Sequence, residues 1–118
     1  MSKPKMVTVV HPDPQARVLL RSVLQAQGRT VATDHSCADL LGDRSGVEPG
    51  VILLDRSFLA REGVDVLSLL RRKWAEAEIV FLPEGLEGAD AKSSPVVQLL
   101  RHVDRLLNMR TTRELLAV

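Results

Sequence analysis

Asp55 is the side chain best placed in this sequence to take part in chemistry. It follows the apolar run 51–54 and precedes the polar pair Arg56 and Ser57. An apolar run of this length, bounded by Gly50 and polar residues, predicts a strand that is buried on both faces. Open parallel sheets bind ligands beyond the C-terminal ends of their strands, so Asp55 is a candidate site residue. A carboxylate that only caps the following turn would stand at the same position.

Two further side chains could serve as a metal ligand or a nucleophile, and each has a simpler interpretation. His11 has no second His or Cys at ligand spacing, so we expect it to line a turn or lie partly exposed. Cys37 lies in a short amphipathic segment, where a cysteine is most often a small core residue. As the only cysteine it cannot form an internal disulfide, which suits a reducing cytoplasm. No His–nucleophile pairing and no glycine-rich phosphate loop occurs, so we expect no enzymatic turnover.

The composition is that of one soluble globular domain with a single core. The chain has 118 residues, of which 45% are apolar and 26% are charged, and its formal net charge is +1. A charge this small predicts no strong attraction to nucleic acid or to anionic membranes. No segment approaches the roughly 18 apolar residues of a membrane-spanning helix, and the N-terminal residues lack a signal-peptide pattern. We therefore expect a cytoplasmic protein.

The elements that would position these side chains alternate between strand and helix patterns. Apolar and β-branched runs predict strands at residues 6–10, 29–33, 51–54 and 79–82. Helical spacing predicts helices from Pro14 to Gly28, over 37–41, over 64–74 and from Pro95 onward, with Ser94 as the cap of the last one. Asp13 is a suitable N-cap for the first of these helices, and Ser36 with Asp39 is similar to a capping box for the second. Alternation at this spacing predicts right-handed crossovers and a parallel sheet with helices on both faces.

These segments resemble the receiver domain of two-component response regulators. "HPDPQARVLL" is similar to the end of the family's first strand with its following helix, and "VILLDRSFLAREGVDVLSLLRR" keeps the family's spacing from aspartate to loop glycine. The resemblance implies a flavodoxin-like (CheY-like) sheet in the order 2-1-3-4-5, with a phosphorylation pocket where strands 1 and 3 diverge. It also implies that Asp55 is the phosphoacceptor and that Mg²⁺ is the cofactor.

The metal ligands of that pocket are missing from the sequence. The family has two acidic residues directly after strand 1, where this chain has His11 and Pro12. Mg²⁺ requires oxygen ligands in octahedral geometry, which neither side chain supplies. Asp13 comes one residue late, and as an N-cap its carboxylate would point at helix amides. If a metal binds at all, Asp13 and Asp55 would hold it, with the carbonyl of Ser57 by analogy. We expect no metal and no cofactor.

The remaining pocket positions also depart from the family. Its Ser or Thr at the end of strand 4 corresponds to Pro83, which has neither a hydroxyl nor an N–H. Its lysine at the end of strand 5 has no clear counterpart, because no strand leads up to Lys92. Asp55 is therefore interpreted as a vestigial phosphoacceptor.

The segment after Pro83 is too short for the family's fourth helix and fifth strand. Residues 84–94 show no apolar period, so we expect a doubly wound parallel α/β sheet of four strands in the order 2-1-3-4. Strand 4 then becomes an edge, with the last helix beside helix 1, although the sequence also allows the opposite face. The predicted receiver-like domain covers residues 1–108, and residues 109–118 form a tail or a short helical extension. A missing layer should leave apolar surface on strand 4 and the last helix, which usually marks an interface.

We therefore predict an atypical receiver domain that acts through protein–protein contacts with a signalling or scaffold protein, or as a homodimer. The candidate interface residues are Val97, Leu100, Val103, Leu107, Leu115 and Leu116. One alternative is a functional receiver that a histidine kinase phosphorylates at Asp55 with Mg²⁺. Another is a small nucleic-acid-binding module that uses the basic C-terminal segment, which we do not expect, because no aromatic residues interleave with its charges.

Overall fold

A four-stranded parallel sheet forms the centre of the protein. The structure, a computed structural model, describes residues 6–42, 48–62, 65–86 and 88–116, and the side chains of all these except 61, 62 and 109–116. The strands are β1 (Met6–Val10), β2 (Val31–Asp34), β3 (Pro49–Leu54) and β4 (Glu78–Phe81). Their order is β2-β1-β3-β4, and every neighbouring pair is parallel. The predicted fold class and strand order are confirmed.

The two central strands are buried because helices cover both faces of the sheet. All of β3 is buried, as the apolar run before Asp55 predicts. The C-terminal ends of β1, β3 and β4 lie level, because Val10 pairs with Leu54 and Leu54 pairs with Phe81. The residues that follow these strands are thereby brought to one edge of the sheet.

Five helices connect and cover the strands. They are α1 (Pro14–Ala26), α2 (Cys37–Leu41), α3 (Ser57–Glu62), α4 (Asp65–Lys73) and α5 (Ser94–Leu116). Asp13 caps α1 with Pro14 in its first turn, and the Ser36 hydroxyl accepts the amide of Asp39, so both predicted caps are confirmed. None of the described helices is long and apolar enough to cross a bilayer.

Three local features differ from the sequence-based expectation. α3 begins two residues after Asp55, in a segment where no helix was predicted. α5 begins at Ser94, the residue that was predicted as its cap, and the amide of Val97 donates to the carbonyl of Ser93 at 3.0 Å. α5 also continues without interruption to Leu116, whereas residues from 109 onward were predicted as a tail or a short helical extension.

The core is divided into two layers by the sheet. One layer packs α1 and α5 against β1 and β3, and it contains Leu20, Leu24, Val96 and Val103. α5 therefore lies beside α1, as expected, and Arg29 after α1 forms an ion pair with Asp104 of α5. The other layer packs α2, α3 and α4 against the opposite face, and its members include Cys37, Phe58 and Leu70.

Candidate functional site

The ends of β1 and β3 bring His11 and Asp55 together. The amide of Asp55 donates to the carbonyl of Val10 at 3.1 Å, which continues the β1–β3 pairing beyond the last strand residue. The imidazole Nε2 of His11 then lies 3.9 Å from Oδ1 of Asp55. The pocket position that the sequence predicts at the divergence of these two strands is thus occupied by an imidazole and a carboxylate.

His11 is buried, whereas the sequence suggested a partly exposed side chain. Only 2% of its surface is exposed. Its Nδ1 accepts the amide of Asp13 at 3.0 Å, so the ring proton of the neutral imidazole lies on Nε2, facing Asp55. Its backbone amide donates to the carbonyl of Asp34 in β2 at 3.2 Å. A side chain fixed in this way fills the space beside Asp55 and cannot turn outward without breaking the turn.

Asp55 has a partner on each carboxylate oxygen. Oδ1 faces His11, and Oδ2 accepts a hydrogen bond from the hydroxyl of Ser57, the first residue of α3. The backbone carbonyl of Asp55 accepts the amide of Phe58 at 3.2 Å and so starts that helix. The side chain is 21% exposed. This is a carboxylate that stabilises the turn after β3. The hydroxyl of Ser57 was not predicted as a site group, although its position two residues after an aspartate is typical of such turns.

The turn between β1 and α1 is held by Asp13 and Arg17. Oδ1 of Asp13 accepts the amide of Gln15 at 3.2 Å, so this carboxylate serves as the helix cap. The guanidinium of Arg17 donates to the carbonyls of His11 at 2.6 Å and Pro12 at 3.1 Å. Arg17 was not identified from the sequence as part of this site. It places a positive charge beside the turn where the family would place acidic side chains.

Pro83 lies just after the end of β4, and Lys92 lies in the segment between β4 and α5. Pro83 is half-buried and directly follows Leu82, whose amide donates to the carbonyl of Leu54 at 2.9 Å. Lys92 lies in a turn, and its amide donates to the carboxylate of Asp90 at 2.9 Å. No strand is present in the described part of the segment between β4 and α5, residues 82–86 and 88–93.

Comparison with known proteins supports the fold. A solved structure described as the BeF3-activated DrrB receiver domain superimposes with a TM-score of 0.66 and 20% sequence identity, over 90% of this chain and 99% of that one. This chain has a receiver-domain fold. No protein-family model and no curated protein matches the sequence.

The receiver fold implies a Mg²⁺ site at these strand ends, and the residues present do not fit one. Mg²⁺ requires several oxygen ligands at about 2.1 Å. Asp55 already accepts from Ser57, Asp13 caps α1, and His11 presents an N–H toward the pocket. Across the described residues, no three side chains of His, Cys, Asp or Glu are grouped so that they could hold a metal ion.

An open groove of about 750 Å³ lies between the end of β4 and the start of α5. The strand residues Val80, Phe81 and Leu82 form one wall, and the first turns of α5 form the other. Arg56 lines the groove from the end of β3, and its guanidinium lies 5.7 Å from the centroid of the Phe81 ring. The groove is therefore mainly apolar, with charged side chains at its margins.

The candidate interface residues on α5 divide into three groups. Val97 and Leu100 are half-buried. Val103 and Leu107 are buried between α5 and the rest of this chain, so the expectation that they form an exposed surface is wrong. They are core residues because the face of α5 that carries them packs against α1 and the sheet. The side chains of Leu115 and Leu116 lie outside the described residues.

The apolar surface expected on β4 is smaller than predicted. Ile79, Val80 and Phe81 are each half-buried. The large apolar side chains that are most exposed among the described residues are Val18 on α1 and Leu69 on α4. The distinctive feature of β4 is thus its unpaired backbone edge, since the described residues place no strand on that side.

Proposed function

We propose that this chain is an atypical receiver domain that functions in signal transduction through protein–protein contacts, without Mg²⁺-dependent phosphorylation. The observation that carries this proposal is the arrangement around Asp55. Its carboxylate accepts from Ser57 and faces the buried ring of His11, where a phosphoacceptor would face a metal ion. In-line phosphoryl transfer relies on such a metal to neutralise the developing charge.

The switch position supports the same proposal. In the family, a hydroxyl at the end of strand 4 binds the phosphoryl group, and Pro83 has no group that could do so. A domain without metal ligands and without this hydroxyl has no means of coupling Asp55 to β4. We therefore assign to this domain a fixed contact surface whose conformation is not controlled by phosphorylation.

The contact surface that we propose consists of the outer edge of β4 and the groove between β4 and α5. An edge strand presents unpaired N–H and C=O groups that can pair with another chain. The partner is a signalling or scaffold protein or a second copy of this chain. We place the domain in the cytoplasm, because a chain with a single cysteine forms no internal disulfide and suits a reducing compartment. We propose no enzymatic activity.

Phosphate transfer from a small donor tests the proposal directly. The chain is incubated with acetyl phosphate and Mg²⁺, and its intact mass is measured beside that of Asp55→Asn. We expect no phosphorylated species in either. A wild-type chain that gains one phosphoryl group, lost in Asp55→Asn, would favour the alternative in which a histidine kinase phosphorylates Asp55.

A further inference from the structure

The backbone groups of β4 that face away from the sheet belong to Ile79 and Phe81. Leu82 donates its amide to Leu54 of β3, so its N–H points into the sheet. Successive residues of a strand direct their N–H and C=O groups to opposite sides, and Val80 therefore also faces β3. Ile79 and Phe81 face outward, where no described segment pairs with them. These two outward residues stand symmetrically on either side of Val80.

β4 is better suited to pairing than β2, the other edge of the sheet. β2 ends in Asp34 and contains Thr33, and charged ends are a common protection against edge pairing. β4 has only apolar residues after Glu78, and Leu82 extends the run. Both edges are short, and β4 also borders the open groove beside α5.

We propose that two copies of this chain associate by antiparallel pairing of their β4 strands about a twofold axis at Val80. The inference rests on the proposed function, because it names the partner of the surface assigned there. In this register Ile79 of one copy stands opposite Phe81 of the other, and each such pair exchanges both of its backbone hydrogen bonds. Val80 meets its own counterpart across the axis. The two sheets would become one continuous sheet across the dimer.

The side chains on both faces of β4 suit this register. On the α4 face, Ile79 comes beside Phe81 of the other copy, a pairing of β-branched and aromatic residues that stabilises sheets. On the α5 face, Glu78 shares the side of Val80 because side chains alternate along a strand. Glu78 would stand opposite Leu82 of the other copy, beside the groove that His102 lines. At the axis itself this face is apolar, because Val80 of each copy lies there, between Glu78 and Leu82.

A single engineered cysteine tests the register. In a Cys37→Ala chain, Val80→Cys would place two thiols at a non-hydrogen-bonded antiparallel site, where Cα atoms are about 4.5 Å apart. That spacing lies within the range that a disulfide bridges. We expect a reducible dimer to form under mild oxidation. The matched control is Thr33→Cys on β2, which should stay largely monomeric. Cross-linking of Val80→Cys at the same rate as Thr33→Cys would overturn the proposal.

A proline variant tests the hydrogen bonds independently of any cysteine. Ile79→Pro removes an outward N–H and leaves the amides that bond to β3 in place, a position at which edge strands tolerate proline. We expect sedimentation equilibrium to show at least about a tenfold rise in the dimer dissociation constant, equivalent to about 1.4 kcal/mol. Ile79→Ala keeps the amide and should retain most of the association. Circular dichroism verifies that each variant is folded. Equal dissociation constants for Ile79→Pro and Ile79→Ala would refute the pairing.

The outcomes separate this inference from the proposed function. If no variant cross-links or associates and Asp55 takes up no phosphoryl group, the β4 pairing is wrong and the phosphorylation-free contact function stands with another partner. If Asp55 is phosphorylated and Val80→Cys still cross-links, the pairing stands and the proposed function fails.

Discussion

Substitutions of Asp13 distinguish a helix cap from a metal ligand. Oδ1 of Asp13 accepts the amide of Gln15 at 3.2 Å in the first turn of α1. Removing such a cap costs about 1 kcal/mol, so we expect Asp13→Ala to lower the free energy of unfolding by about that amount. Asp13→Asn keeps an acceptor oxygen and should change it by less than about 0.5 kcal/mol. Urea denaturation followed by circular dichroism measures both values.

The same chains measured with Mg²⁺ complete the experiment. A site with a Kd of about 1 mM would stabilise the folded chain by about 1.4 kcal/mol at about 10 mM Mg²⁺. For a chain of this size that would raise Tm by roughly 5 °C. We expect no such rise in the wild type or in either variant. A Mg²⁺-dependent rise in the wild type that disappears in Asp13→Asn would show that this carboxylate binds metal, and the reasoning about the pocket would be wrong.

Three further substitutions test the packing and the turns, each measured by urea denaturation. Leu70→Ala should cost about 2–5 kcal/mol because this side chain is fully buried. The neighbouring Leu69→Ala, 47% exposed, should cost far less, and equal losses would contradict the orientation of α4. Gly28→Ala should cost about 1–2 kcal/mol, because Gly28 has the left-handed φ of +84°. A Cβ at this position meets no atom within 4 Å, so a larger loss would contradict this explanation. Arg17→Met should cost about 2 kcal/mol because two carbonyls of the β1–α1 turn lose their donor. Arg21→Met is the control for Arg17→Met, because Arg21 is exposed on the same helix. An equal loss of unfolding free energy in both variants would show that Arg17 does not stabilise the turn.

The features predicted correctly from the sequence are those with local causes. The start of α1 follows from an N-cap and a proline in adjacent positions, both of which act within one turn. The buried strand β3 follows from a continuous apolar run bounded by polar residues. The strand order follows because alternation with helices leaves few ways to build a parallel sheet. The edge position of β4 follows from the shortness of the segment that comes after it.

The features that were missed depend on contacts between distant residues. α3 has only six residues, too few to show a helical period, and it is held by the burial of Phe58 and by the carbonyl of Asp55. His11 is buried because the neighbouring strands bring Asp34 and Asp55 to either side of it. Val103 and Leu107 were predicted as interface residues, but the packing of α5 against α1 and the sheet covers them within this chain.

A beryllofluoride titration tests the central claim most directly. Beryllofluoride with Mg²⁺ mimics a phosphoryl group on an aspartate, and amide NMR reports where it binds. The arrangement of Asp55, Ser57 and His11 predicts no saturable shifts at residues 10–13 or 55–58 in the wild type. Saturable shifts clustered there, and lost in Asp55→Asn, would contradict the claim that this receiver fold acts without a phosphorylation switch.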